Sequence, residues 1–306
     1  MFKNPLLRFA FSITLGITVL IALMFLTGFI AGIFLDISVL DFFRLAGNLN
    51  SAQGVAVNKL LLIVQTIALF GIVPFLLIYS FKKQQTIAFI QIGNSNYKNL
   101  IPIVVLTMLA AIPFINFIGE FNALILDTFF GKSNYFSSLR DNNELVTKKL
   151  LATDSYRILV YNIFIIGVLP GVFEELCFRG IIQNVFVKYL KNHHVAILLS
   201  ALIFGFLHFE FYGIIPRTLM GIFFGYLLYW SGNLKLPMIA HFTNNDTIVI
   251  LDFLIQRNKI DTEIETIGAS SSTMLLGLLS GILFSVGVFY IYRNIQDKNG
   301  NQLSTQ

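Results

Sequence analysis

The chain has 306 residues, 56% of them hydrophobic and only 12% charged, with a formal net charge of +5 and a mean hydropathy of +0.77. Soluble domains carry about 25% charged residues, so this balance excludes an ordinary soluble enzyme; long uncharged apolar runs recur along the whole length and read as an integral membrane protein. The basic residues lie scattered between those runs, which argues against a nucleic-acid partner and fits loops facing anionic lipid.

Lys3 and Arg8 precede the first apolar run, 9–35, and place the N-terminus in the cytoplasm. That run is too long for the apolar core of a signal peptide and is expected to be a retained span. A connection with Asp36, Asp41 and Arg44 leads to a second span, 60–81, closed by Lys82 and Lys83, and Lys98 precedes a third, 100–119. The longest polar connection, 119–156, is expected outside, with a short amphipathic piece at 121–130. A fourth span, 156–190, contains Pro170 and Gly171, where the missing proline N–H is expected to kink the helix and open a wet cavity. Four more follow at 195–209, 218–230, 237–255 and 271–292, the sixth carrying Gly221 and Gly225 at small-xxx-small spacing. The result is an all-α polytopic bundle of about eight spans with both ends cytoplasmic and a disordered polar tail, suited to a bacterial inner membrane.

Polar residues inside such spans are costly, and each calls for a function before a structural excuse. The densest group is Glu174-Glu175-Leu176-Cys177-Phe178-Arg179-Gly180. Glu175 and Arg179 stand at i and i+4 and can pair, while Glu174 points about 100° away and stays free. The plainer reading is a buried ion-pair cluster that fixes helix packing. A second site is His208, one turn after Phe204, with a snorkelling interfacial histidine as its plain reading. A third is His241 with Asn245, again i and i+4, which could be mere interhelical glue. His193 and His194 read as solvated, Phe178, Phe204 and Phe206 as packing, and Cys177, the only cysteine, as a small buried filler.

Together, a carboxylate, two histidines and an amide on three helices make a water-activating set. Glu174, His208 and His241 could instead hold zinc with one position open, although the His-Glu-x-x-His motif is absent. Zinc histidines usually have partners that orient them, and none stands beside His208 in sequence.

Glu-Glu-x-x-x-Arg, then Phe204-x-x-x-His208, then His241-x-x-x-Asn245, in this order on successive apolar helices, resembles the CPBP family: the CAAX-protease and bacteriocin-processing intramembrane endopeptidases, also called the Abi or type II CAAX prenyl endopeptidase family. The resemblance covers about 156–251. It implies that Glu174 is the catalytic base aided by His208, that His241 and Asn245 bind an oxyanion, and that Glu175 and Arg179 are the supporting ion pair. It leaves metal use open. The expected organisation is N-terminal helices with an extracytoplasmic loop at 1–155, a catalytic core at 156–256, and a last span with the tail at 257–306.

The expected function is an intramembrane endopeptidase acting on a membrane protein or peptide, C-terminally lipidated substrates included, without a favoured cofactor. The alternatives are a catalytically silent scaffold or bacteriocin self-immunity protein of the same fold, and a transporter with a proton-relay glutamate. No inverted repeat speaks for the transporter. The substrate and the oligomeric state are not legible.

Overall fold

The computed structural model describes residues 5–76, 97–132 and 135–304, and among these it has helices and turns but no strand. Among the described residues six helical stretches are long and apolar enough to cross a membrane: Thr14–Phe34, Ala52–Leu76, Lys98–Phe130, Tyr156–Leu190, Phe211–Ser231 and Met274–Asp297. The chain is a multi-pass, all-α membrane bundle. Its helices are α1 (Pro5–Leu35), α2 (Val39–Ala46), α3 (Ala52–Thr66, prolonged by a wide π turn at Ile67–Ile72), α4 (Ile101–Phe130), α5 (Tyr135–Leu151), α6 (Tyr156–Leu190), α7 (His193–Phe206), α8 (Ile214–Ser231), α9 (Lys235–Gln256) and α10 (Met274–Ser304).

Two of the eight expected spans differ from the rest. Helix α7 has only 14 residues, about 21 Å, against a hydrocarbon core of about 30 Å. Asn192 starts it by accepting from the His194 and Val195 N–H groups, and the helix stops where Leu207 leads into the His208 loop. Helix α9 has 22 residues, but His241, Asn244, Asn245, Asp246 and Asp252 make it too polar to count as a span by composition. It packs inside the bundle, against α4, α6 and α8.

Other boundaries also moved. The third span does not stop at 119. Helix α4 continues through the expected amphipathic piece to Phe130 and ends at Gly131, whose φ of 80° suits glycine. The polar connection after it is largely helical, as α5, and residues expected to form a disordered tail continue α10 to Ser304. The end of the second span, at 77–81, lies outside the described residues.

Helix α4 runs along α10. Pro113 interrupts α4, and Ser280 of α10 repairs the gap: its hydroxyl accepts from the Phe114 N–H at 3.0 Å and donates to the Ala110 carbonyl. Gly281 lets the two helices touch, because an added Cβ would lie 2.7 Å from the Phe114 ring. The main apolar core joins Leu100, Val104 and Met108 of the α4 region to Phe223, Phe224 and Leu227 of α8, Leu236 and Ala240 of α9, and Ile291 and Ile295 of α10. Residues from both halves of the chain thus share one core.

Candidate active site

Helix α6 is not a uniform α-helix. A π turn at Ile163–Val168 precedes Pro170, the α segment Leu169–Glu175 carries both glutamates, and a second π turn follows at Leu176–Gln183. Such wide turns are frequent at functional sites. Pro170 has no N–H to give the Ile166 carbonyl, and the Asn245 side-chain amide donates to that oxygen at 3.3 Å. The expected kink with free carbonyls is therefore replaced by a widened helix with a side-chain cap from α9.

Glu175 lies at the centre of a buried polar chain. Its Oε1 accepts from Arg179 Nη1 at 2.8 Å and from His241 Nδ1 at 2.8 Å. Glu175 and Arg179 are both 0% exposed. Arg179 Nη2 donates on to the Gly221 carbonyl at 2.8 Å, and its guanidinium lies 4.7 Å from the Phe204 ring centroid and 5.3 Å from that of Phe224. Phe224 also stacks on His241. Phe178 and Phe204 are packed in this core as expected, but Phe206 is exposed, on the outer side of α7.

Glu174 stands apart from that chain. Its Oε2 lies 3.9 Å from His208 Nε2 and 3.9 Å from His241 Nε2, and makes no hydrogen bond to a protein group. The separation is too long for direct bonds and suits three groups that share one small molecule such as water. His208 Nδ1 is 2.8 Å from the Phe204 carbonyl, which can only accept, so that nitrogen carries the hydrogen. The same logic puts a hydrogen on His241 Nδ1, against Glu175. Both histidines therefore turn Nε2 toward Glu174. The site is reached from the His208 side, where that side chain is 30% exposed and Glu174 10%.

Two glycine pairs assemble these helices. Gly167 and Gly171, four residues apart on α6, receive α9: an added Cβ would meet Asp246 Oδ1 at 1.7 Å and the Phe242 backbone nitrogen at 3.1 Å. Gly221 and Gly225, the pair noted in sequence, receive α7, where added Cβ atoms would meet Ala201 Cβ at 3.0 Å and Ile197 Cγ2 at 2.8 Å, together with the side-chain ends of Arg179 and Gln183 from α6. Their carbonyls accept from Arg179 and from Gln183 Nε2, the latter at 3.2 Å. Replacing Gly171 by alanine is expected to push α9 away and cost about 1–3 kcal/mol, lowering the thermal midpoint in detergent. Gly119→Ala is the control, because nothing lies within 4 Å of its added Cβ.

The structure thus brings together Glu174, Glu175, Arg179, His208 and His241. It places Asn245 on the Ile166 carbonyl, with Asn244 Nδ2 donating to its Oδ1 at 3.2 Å. Sequence reasoning missed Gln183 and the Gly167–Gly171 pair. Gln183 was findable: it follows Arg179 by four residues, as Gly225 follows Gly221. It also missed Lys59, which is buried and donates to Asn162 Oδ1 at 2.7 Å, tying α3 to α6.

The orienting partners sought for a zinc site do exist. They are the Phe204 carbonyl for His208 and Glu175 for His241. Sequence neighbours could not reveal them, because one is backbone and the other lies on another helix. The donor set suits zinc in kind, but ligands at 2.0–2.2 Å around one tetrahedral ion would stand about 3.4 Å apart, closer than the 3.9 Å seen. Among the described residues no three His, Cys, Asp or Glu side chains are placed to hold a metal ion.

Residues 156–247 match the family model for type II CAAX prenyl endopeptidase Rce1-like proteins. The chain is 30% identical over 101 residues to YpbD, an uncharacterised protein of Bacillus subtilis, a match covering 32% of this chain and 47% of that one. It is 29% identical over 97 residues to the membrane-embedded CAAX protease MroQ of Staphylococcus aureus, covering 30% of this chain and 39% of MroQ. The matches take in less than half the length of either relative. No solved structure gives a significant match. Glu174, His208 and His241 all lie within the stretch, residues 156–247, that is similar to the type II CAAX prenyl endopeptidase Rce1-like family.

Proposed function

We propose that the chain is an intramembrane endopeptidase that hydrolyses a peptide bond of a membrane-associated protein or peptide with water activated by Glu174. The observation that carries this reading is the placement of one unbonded carboxylate oxygen 3.9 Å from the Nε2 atoms of two oriented histidines. The match to the type II CAAX prenyl endopeptidase model and the likeness to the CAAX protease MroQ make a lipidated CAAX-type C-terminus the first substrate class to try. The basic residues flanking the apolar runs support a site in a bacterial plasma membrane with both termini cytoplasmic.

In this mechanism Glu174 takes a proton from the water as its oxygen attacks the scissile carbonyl carbon. His208, with Nδ1–H on a carbonyl, offers the Nε2 lone pair and shares that proton. Glu175 fixes the His241 ring through Nδ1, and His241 in its protonated form donates Nε2–H to the oxyanion. Asn245 has a second N–H for the same oxyanion while the first stays on Ile166. Collapse of the tetrahedral intermediate passes the proton from Glu174 to the leaving amine.

No step needs a metal. Stripping the purified protein with a strong chelator is expected to leave cleavage of a lipidated CAAX-type peptide unchanged. Loss of activity restored by stoichiometric zinc, with one zinc per chain by elemental analysis, would instead make Glu174, His208 and His241 ligands. A protein that binds such peptides and releases no product from them would be the silent scaffold.

A further inference from the structure

We propose that Asn122, on α4, is the positioning residue for the loop that carries His208, so that the N-terminal half of the chain holds the site in shape. The proposal rests on the reading of His208 as part of that site.

The loop spans residues 207–213 between α7 and α8. It turns left-handed at Phe209, with φ of 52°, and closes in a short 3-10 turn at Phe211–Gly213. Helix α8 then begins, and its cap position is Gly213, which has no side chain to cap with. Glycine leaves room there for the Arg217 guanidinium, whose Nη1 would lie 2.0 Å from an added Cβ. That guanidinium is pinned by Glu210, through its carboxylate and its carbonyl. A helix start leaves its first N–H groups without partners, and here the missing cap comes from another helix. Asn122 Oδ1 accepts from the Ile215 N–H at 3.0 Å, and Asn122 Nδ2 donates to the Phe211 carbonyl at 2.9 Å. One buried amide, 3% exposed, therefore grips both sides of the 3-10 turn.

Neighbouring contacts converge on the same turn. Tyr212 donates its hydroxyl hydrogen to Asp127 Oδ1 at 2.6 Å. Arg140 of α5 lies 4.5 Å over the Tyr212 ring, and the Phe136 ring is 4.5 Å from that of Phe211. All these partners come from the part of the chain before residue 156, which carries no family motif. His208 lies three residues before Phe211. Its Nδ1 bond to Phe204 holds it from the α7 end, and Asn122 holds the other end of the loop. An apolar residue at 122 would leave a part-buried donor and a part-buried acceptor without Asn122, and the turn would move to recover partners for them.

The test uses the full-length protein in detergent with nitroxide labels, one on Phe209→Cys and one on Leu198→Cys; both positions are exposed and the native Cys177 is buried. Asn122→Leu is expected to raise mobility of the label at 209 and to leave the label at 198 unchanged. In the unlabelled variant, kcat on the lipidated peptide should fall by about 10²-fold with KM unchanged. Asn122→Asp keeps the acceptor for Ile215 and loses the donor to Phe211, and should fall between; it carries the test if the leucine variant does not fold. Unchanged mobility at 209, or raised mobility with wild-type kcat, overturns the proposal. A wild-type protein that cleaves nothing contradicts the proposed function, and the label at 209 still decides whether Asn122 holds the loop.

Discussion

Glu174→Gln abolishes peptide hydrolysis while the fold keeps its thermal stability: that is the expected outcome of removing the base. A positioned general base is worth about 10²–10⁴-fold, and glutamine cannot take the proton. The fold should be spared because Glu174 Oε2 makes no hydrogen bond to protein and both Nε2 atoms stand 3.9 Å away. A side-chain amide fills the same space and removes a buried charge. Turnover on the lipidated peptide and thermal unfolding in detergent, measured on the same preparation, give both numbers.

Glu175→Gln should do the reverse damage. Glu175 Oε1 is the shared acceptor of Arg179 and His241, each at 2.8 Å, and Arg179 is fully buried. Removing one partner of a buried pair leaves an uncompensated charge and costs roughly 3–5 kcal/mol. Activity would fall as well, because His241 loses the group that fixes its ring. Replacing Arg179 with methionine in the same chain should recover part of the lost stability, since removing both charges removes the unpaired one. If Glu174→Gln lowered the melting temperature as much as Glu175→Gln, the two adjacent acids would not divide the work as argued.

The pairing of Glu175 with Arg179 and the freedom of Glu174 were legible in sequence, because i and i+4 spacing on a helix fixes which side chains meet. The approach of His208 to Glu174 was expected from cost: neither can stay unpaired in hydrocarbon. Partners across helices were not legible. The bond from His241 to Glu175 spans 66 residues, and the grip of Asn122 on the α8 start spans 93. Pro170 misled for a local reason: proline predicts a broken helix, yet a π turn and the Asn245 amide absorb the missing hydrogen bond. Helix ends were missed where polarity was taken for a loop, as in α5, where Lys148 and Glu144 pair along one helical face. The end of α7 was placed at 209 and lies at 206, because an apolar run does not reveal where the chain turns at Leu207.

Single-turnover hydrolysis in ¹⁸O-labelled water tests water activation by Glu174 most directly. With enzyme in excess over a lipidated CAAX-type peptide, the new carboxyl terminus should carry one ¹⁸O atom in the first turnover, and the Glu174 peptide of the digested enzyme should carry none. Product bearing only ¹⁶O, with ¹⁸O found in Glu174, would mean that the carboxylate attacks the carbonyl itself and that no water sits between Glu174 and the two histidines at the moment of reaction.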